Sequence, residues 1–251
     1  MIVLLAITAF LAGVVDAIAG GGGLITVPAL LAAGLPPHLA LGTNKAQSVW
    51  GSGAALVSFW RAGRVDKRQA AFTFFLGLLG ARIGVDLVLR VDRDVLRPIV
   101  IGMLIGAAVL LLIKKPSRDE DDIPEDKRER YLLIACGLAL AIGFYDGFFG
   151  PGTGTFLIVG FVALCGKSIT RATADAKVVN FASNLASVIT FGMAGIVAWK
   201  VALPMACGQL VGGIVGARLA IKGGAKLIRL MVLVVSGALV AKLVWDLVAG
   251  G

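Results

Sequence analysis

MIVLLAITAFLAGVVDAIAGGGGLITVPALLAA, residues 1–33, carries a single charge, Asp16, and is interrupted by four consecutive glycines at 20–23. As one straight helix it would be about 50 Å long at 1.5 Å per residue, against about 30 Å of bilayer hydrocarbon. The spacing therefore predicts a broken helix or a re-entrant hairpin. The same pattern returns at residues 130–165, where GPGTG at 150–154 interrupts another apolar run. Further apolar segments lie at 39–60, 69–89, 97–114, 168–194, 198–221 and 227–249. The expected fold class is all-α, a polytopic transmembrane helical bundle of about eight membrane segments with glycine-broken helices.

Composition agrees. The chain is 58% hydrophobic and 16% charged, against roughly 25% charged residues in soluble domains. That balance argues against a soluble enzyme, a disordered regulator and a disulfide scaffold. The net charge of +9 is spread between apolar runs, as in basic loops flanking spans, so no nucleic-acid partner is expected. Cys136, Cys165 and Cys207 have no CxxC spacing and read as small buried hydrophobes. The N-terminal run lacks a basic leader and an A-x-A-like site, and reads as a retained span.

KPSRDEDDIPEDKRER, residues 115–130, is the one long polar stretch and divides the chain nearly in half. We read 1–114 as a first transmembrane repeat, 115–130 as a charged linker and 131–251 as a second repeat. At an offset of 130, Asp16 and Gly20 fall on Asp146 and Gly150. At 132, Lys45 falls on Lys177, Phe59 on Phe191 and Ala62-Gly63 on Ala194-Gly195. At 136, Gly80-Ala81-Arg82 falls on Gly216-Ala217-Arg218. Many transporters are built this way. Basic residues crowd the 61–68 loop but not its mate near 195–200, whereas the 34–38 loop lacks Lys and Arg and its mate holds Lys167 and Arg171. That exchange points towards inverted halves, four simple crossings per half would make them parallel, and the sequence leaves the orientation open.

Asp16 with Asp146, Lys45 with Lys177 and Arg82 with Arg218 are charged pairs within or near the apolar segments. Facing lipid, six such residues would cost about 15–20 kcal/mol. They must meet one another, water or a substrate, or snorkel to an interface. The lysines read as anion ligands or as ion-pair partners of Asp16 and Asp146. The aspartates read as proton carriers or helix caps, and the arginines as ligands or interface anchors, Arg82 having Asp86 at i+4. The glycine breaks free backbone amides at helix starts, which suits an anion. All three glutamates lie in the linker and the single histidine, His38, lies in a Pro-Pro loop. No metal site or cofactor is expected, and an aspartyl dyad of Asp16 and Asp146 is the one catalytic arrangement the spans could build, so an enzyme is not expected.

VDAIAGGGGLITVPALLAAGLPPHLALGTNKAQSVWGSGAA, residues 15–55, and DGFFGPGTGTFLI, residues 146–158, resemble the signature of the sulfite exporter TauE/SafE family of membrane transporters. The likeness implies a polytopic protein of the bacterial plasma membrane that moves small sulfur-containing anions such as sulfite, sulfoacetate or other organosulfonates. It places Gly20, Gly21, Gly22, Gly23, Asn44, Lys45, Gly150, Gly152, Thr153 and Gly154 at the translocation site. The second half departs from the pattern with Ala176-Lys177 where the first has Asn44-Lys45. Lys177 and Asn180 complete the candidate substrate-binding set. Together these readings give a secondary transporter of a small anion with a midplane site of positive potential and alternating access by rocking of one half on the other. Export, coupled to protons through Asp16 or Asp146, is the finer expectation. The rivals are a passive anion channel with the same lining and a non-transporting scaffold. The expected partners are the substrate and the lipid bilayer, and the sequence is silent on oligomeric state.

Overall fold

The computed structural model describes residues 1–92, 94–96, 99 and 128–249, with side chains up to Met231 and at Val234. The expected linker over 115–127 and nearly all of the apolar segment 97–114 lie outside the described residues. Eight long helices are described: α1 (Ile2–Ala19), α2 (Gly23–Ala32), α3 (Pro37–Arg61), α4 (Lys67–Val88), α5 (Arg128–Phe148), α6 (Thr153–Cys165), α7 (Ile169–Met193) and α8 (Trp199–Ala249). No strand occurs among the described residues. Helix α5 begins at Arg128, so the last three residues assigned to the linker are helical. Helix α8 is interrupted at Gly224 (φ 57°), between the two apolar segments expected there.

Among the described residues, four helices are long and apolar enough to cross a membrane: α1, α4, α5 and α8 over Trp199–Met231. Helices α2 and α6 are apolar but short. The outward faces of α1, α4, α5 and α8 carry large exposed side chains such as Ile7, Phe75, Leu133, Leu203 and Leu219, an apolar belt suited to lipid. Cys165 is buried as expected, Cys136 is half-buried, and Cys207 is exposed on this outer surface. Helices α3 and α7 are the longest uninterrupted ones, at 25 residues each, and the most polar. They bury Thr43, Asn44, Lys45, Gln47 and Ser52 on one, and Asp175, Lys177, Asn180, Ser183 and Asn184 on the other. A helix with that content needs protein around it, and both lie inside the bundle, packed on each other and on flanking helices.

Each flanking contact joins a helix before residue 93 to one after residue 127. Helix α1 packs along α8, with Gly208, Gly212 and Gly216 against the backbone at Ala6, Phe10 and Val14. Helix α4 packs along α5, with Gly80 and Gly84 against the backbone from Leu140 to Phe148, and Gly143 and Gly147 against the backbone at Gly77 and Ala81. At most of these glycines a Cβ would collide with main chain, so small residues set the close approach. The registers show that α1 and α8 run parallel, and so do α4 and α5. Gly42 lies beside Phe191, and Gly53 beside Phe181, so α3 and α7 run antiparallel. Gly42 also meets Ile196, while Gly51 meets Gln209, so α3 and α8 run parallel. Helices α1, α3 and α8 thus share one direction, and α4, α5 and α7 take the other.

One hydrogen bond recurs across the 132-residue offset with different chemistry. Ala198 N–H donates to Thr43 Oγ1 at 3.0 Å, and Asp66 N–H donates to Asp175 Oδ1 at 2.8 Å. In the second case Lys167 binds the other oxygen of Asp175 and approaches Asp66 Oδ2 at 3.5 Å. Asp66 also caps α4 by accepting the N–H groups of Arg68 and Gln69. Burial pushes its carboxyl up, but the Gln69 amide, the Lys167 ammonium and the Arg68 amide outweigh it and hold it below the ordinary carboxylate value. The basic loops near 61–68 and 166–171 therefore meet at one end of the bundle.

Breaking the charged cluster should cost more than breaking its neutral counterpart. Lys167→Met is expected to destabilise the protein by about 3–5 kcal/mol, because Asp175 stays buried without its cation, and Thr43→Val by about 1–2 kcal/mol. Unfolding in detergent compares them; equal costs would show that the charges add nothing. Gly20→Ala, at φ 78° with a Cβ overlapping the Gly154 backbone, is expected to prevent stable folding. Gly63→Ala, at φ 67° in open space, should cost only about 1–2 kcal/mol. Thermal unfolding with size-exclusion profiles tests this, and similar behaviour of the two would contradict the contact.

Candidate functional site

Asp16 closes α1 and Asp146 lies in the last turn of α5, and after each the chain turns through a glycine with positive φ, Gly20 at 78° and Gly150 at 97°. The following helices, α2 and α6, start at Gly23 and Thr153. The two breaks touch. Thr155 N–H donates to Gly20 O at 3.0 Å, Thr155 Oγ1 donates to Ala19 O at 2.8 Å, and any Cβ on Gly154 would meet Gly20 Cα. Only glycine permits backbones this close.

Each buried lysine then meets the aspartate of the other break. Lys45 Nζ lies 2.8 Å from Asp146 Oδ1, with both side chains almost fully buried. Lys177 Nζ donates to the Asp16 backbone carbonyl and lies 3.3 Å from Asp16 Oδ2. Both cations thus sit at the C-terminal end of a broken helix, where unpaired carbonyls and the helix dipole favour positive charge. Of the two readings left open for the lysines, ion pairing with the aspartates is what the geometry contains. The four charges cancel, so the expectation of a positive cavity does not hold by formal charge.

The aspartates are not equivalent. Asp146 Oδ1 also accepts from Thr153 Oγ1 at 2.7 Å and Oδ2 accepts from Ser183 Oγ, leaving it sealed. The Asp16 side chain is 19% exposed, and its Oδ1 accepts the Gly22 N–H at 3.2 Å. Asp16 therefore caps the start of α2, whereas Asp146 is held by side chains.

These residues enclose a cavity of about 20 Å3 lined by Asp16, Gly20, Gly23, Asn44, Lys45, Ser48, Asp146, Gly150, Gly152, Thr153, Gly154, Asn180 and Asn184. That is room for about one water, so a four-atom oxyanion requires the walls to part. Eleven of these thirteen positions are sequence candidates. Gly21, Gly22 and Lys177 are not among the lining residues, and Lys177 is completely buried behind Asp16. Arg82 and Arg218 lie elsewhere. Arg82 pairs with Asp86 at 3.0 Å, as the i+4 spacing suggested, and donates to Thr190 Oγ1 at 3.0 Å. Arg218 lines a separate groove on the outer face.

Sequence reasoning missed Ser48 and Asn184. Both carry a legible signal: Asn44 and Ser48, and Asn180 and Asn184, are i, i+4 pairs on one helix face. At the 132-residue offset Ser48 falls on Asn180 and Ser52 on Asn184. Asn184 Nδ2 reaches Ser52 Oγ at 3.4 Å, linking α7 to α3. Asn44 Oδ1 accepts from Thr26 Oγ1 at 2.6 Å and Gln47 Nε2 at 3.0 Å, which leaves its NH2 for the cavity. The N–H groups of Gly23, Gly152 and Gly154 find no acceptor among the described residues. Buried donors in that condition require a ligand or water. Among the described residues, no group of three or more His, Cys, Asp or Glu side chains is placed to hold a metal ion.

The family profile of the sulfite exporter TauE/SafE matches residues 5–243. The chain is 42% identical to "Probable membrane transporter protein ORF9" of Sinorhizobium sp, covering 98% of this chain and 93% of that protein. It is 40% identical to a "Probable membrane transporter protein" of Haemophilus influenzae, over 94% of this chain and 92% of the other. It is 41% identical to "Probable membrane transporter protein YfcA" of Escherichia coli K12, over 95% and 87%. No solved structure matches. Long apolar helices, polar helices buried at the centre and a family match across nearly the whole length agree: this chain is an integral membrane protein and belongs to the sulfite exporter TauE/SafE family of membrane transporters.

Proposed function

We propose that the protein is a secondary transporter that exports a small sulfur oxyanion, sulfite or an organosulfonate such as sulfoacetate, across the bacterial plasma membrane. The observation that carries this reading is that Gly23, Gly152 and Gly154, whose amides have no acceptor among the described residues, line one central cavity together with Lys45, Asn44 and Asn180. Fixed amide donors at two helix starts and one ammonium complement an oxyanion whose charge is spread over several oxygens.

The architecture we infer is two inverted repeats, 1–114 and 131–251, joined by the 115–130 linker and contributing about eight membrane segments. Supporting it, α1 and α5, α3 and α7, and α4 and α8 are related by the offsets, and each pair runs in opposite directions. The exchanged loop charges noted in the sequence fit the same reading, because both basic loops lie at one end, which faces the cytoplasm by the positive-inside rule. The packing argues against rocking of one half on the other, since α1 is bound to α8 and α4 to α5. The moving bodies in alternating access are then these mixed pairs, turning about α3 and α7.

Substrate and carboxylate compete for the same ammonium. An anion on Lys45 displaces Asp146, and a proton on that carboxylate neutralises the competitor. Proton and anion then travel together, and the outward gradient of the anion, not the proton gradient, drives export. Asp16, partly exposed beside Lys177, is the second candidate for this role. A passive channel is disfavoured by the narrowness of the cavity, which has room for about one water, and by the direct contact of the two breaks.

Sulfite or sulfoacetate is expected to raise the melting temperature of the purified protein by several degrees, and Lys45→Ala to abolish that shift. No shift from any sulfur oxyanion, with chloride or carboxylates acting instead, would overturn the substrate class. Asp146→Asn, which removes the carboxylate that competes for Lys45, should raise anion affinity several-fold at constant pH; an affinity unchanged from wild type would remove Asp146 from the competition. In proteoliposomes, flux should saturate and show counterflow, whereas voltage-dependent current without saturation would mark a channel.

A further inference from the structure

On the outer side of α3, α7 and α8 lies a groove of about 680 Å3, open to the surroundings and walled chiefly by Val57, Phe181, Leu185, Leu210 and Ile214. Its volume is within the roughly 300–1,000 Å3 of small-molecule sites. Helices α3 and α8 run parallel along it, so Ala46 and Trp199 mark one end, and Arg61 and Arg218 mark the other. Neither arginine has a carboxylate partner among the described residues. The contrast with Arg82 is instructive. At the 136-residue offset Arg82 corresponds to Arg218, but the i+4 position that supplies Asp86 to the first supplies Lys222 to the second. One arginine is neutralised by its own helix and the other is left charged at the mouth of an apolar groove.

A ligand that fits needs a long alkyl chain and an anionic head at one end. We propose that this groove binds an anionic phospholipid of the surrounding bilayer, its phosphate on Arg61 and Arg218 and an acyl chain along the apolar wall. Arg61 belongs to the basic 61–68 loop, which the positive-inside rule assigns to the cytoplasmic leaflet, the leaflet whose anionic headgroups attract such residues. Guanidinium pairs bind phosphate oxygens through fixed donor forks, and the apolar length excludes a free inorganic anion as the natural occupant. The groove shares its wall with the central cavity. Ala46, Phe181 and Leu185 face the groove, and their neighbours Lys45, Asn180 and Asn184 face the cavity. A bound lipid therefore braces the two central helices from outside. This proposal does not depend on which anion is transported.

The test uses the full-length protein in a neutral detergent, with native mass spectrometry and melting curves in phosphatidylglycerol, phosphatidylcholine of the same chains, or inorganic phosphate. Phosphatidylglycerol should remain bound as one lipid per chain and raise the melting temperature by several degrees, while phosphatidylcholine and phosphate should do neither. Arg61→Gln with Arg218→Gln should lose the effect, Arg61→Lys with Arg218→Lys should retain most of it, and Ala54→Phe, which fills the groove, should lose it with both arginines present. Equal stabilisation by phosphatidylcholine, a full response to phosphate alone, or retention of phosphatidylglycerol by the glutamine or Ala54→Phe variants would overturn the proposal. A stable dimer that Ala54→Phe dissociates, with no lipid retained, would assign the groove to a second copy and overturn it equally. If the glutamine variant does not fold, the lysine and Ala54→Phe variants decide the question.

Discussion

Two buried ammonium groups, each held by the carboxylate of a broken helix from the other half of the chain, are the constraint on which the rest of the molecule depends. Burying a lysine costs several kcal/mol unless a carboxylate and further donors or acceptors surround it. Lys45 and Lys177 satisfy this only because α1 and α5 end at the centre of the bundle. Those helices can end there only because Gly20 and Gly150 turn the chain and Gly154 lets the two breaks touch. Remove the crossing and the bundle would hold four unpaired charges in a medium without water.

The crossing also dictates the packing around it. To deliver Asp146 to Lys45 and Asp16 to Lys177, the first long helix of each half must lie in the other half's territory. It does so against α8 in one case and α4 in the other, through glycines that bring backbones into contact. The central helices α3 and α7 thereby pack on each other and on their neighbours along their polar faces, and carry there a density of polar side chains that no lipid-facing surface could hold. This explains why they are long enough for a span and yet fall short of a span's hydropathy.

A site with equal numbers of opposite charges has to be disturbed before it takes an anion. The ion pairs occupy both ammonium groups, so any anion that reaches them must displace a carboxylate. The two ends of the bundle are also chemically unequal: the bond that is Thr43 to an amide at one end is Asp175, Lys167 and Asp66 at the other.

The sequence by itself determined the class of protein, the glycine breaks, the pairs of equivalent charged residues and the family. Each of these is written in local composition, in periodicity or in self-similarity, which need no knowledge of contacts. Most of the cavity lining was legible for the same reason, and Ser48 and Asn184 were within reach of the offset that related Lys45 to Lys177. Tertiary structure alone decided that the lysines pair crosswise with Asp146 and Asp16 and cancel the charge of the site. It also decided that the related helices run in opposite directions, and that Arg82 is satisfied while Arg218 opens onto a groove. Apart from the i+4 pair of Arg82 with Asp86, these facts rest on contacts between residues far apart in the chain, and a local pattern records which face of a helix is buried but not which helix buries it.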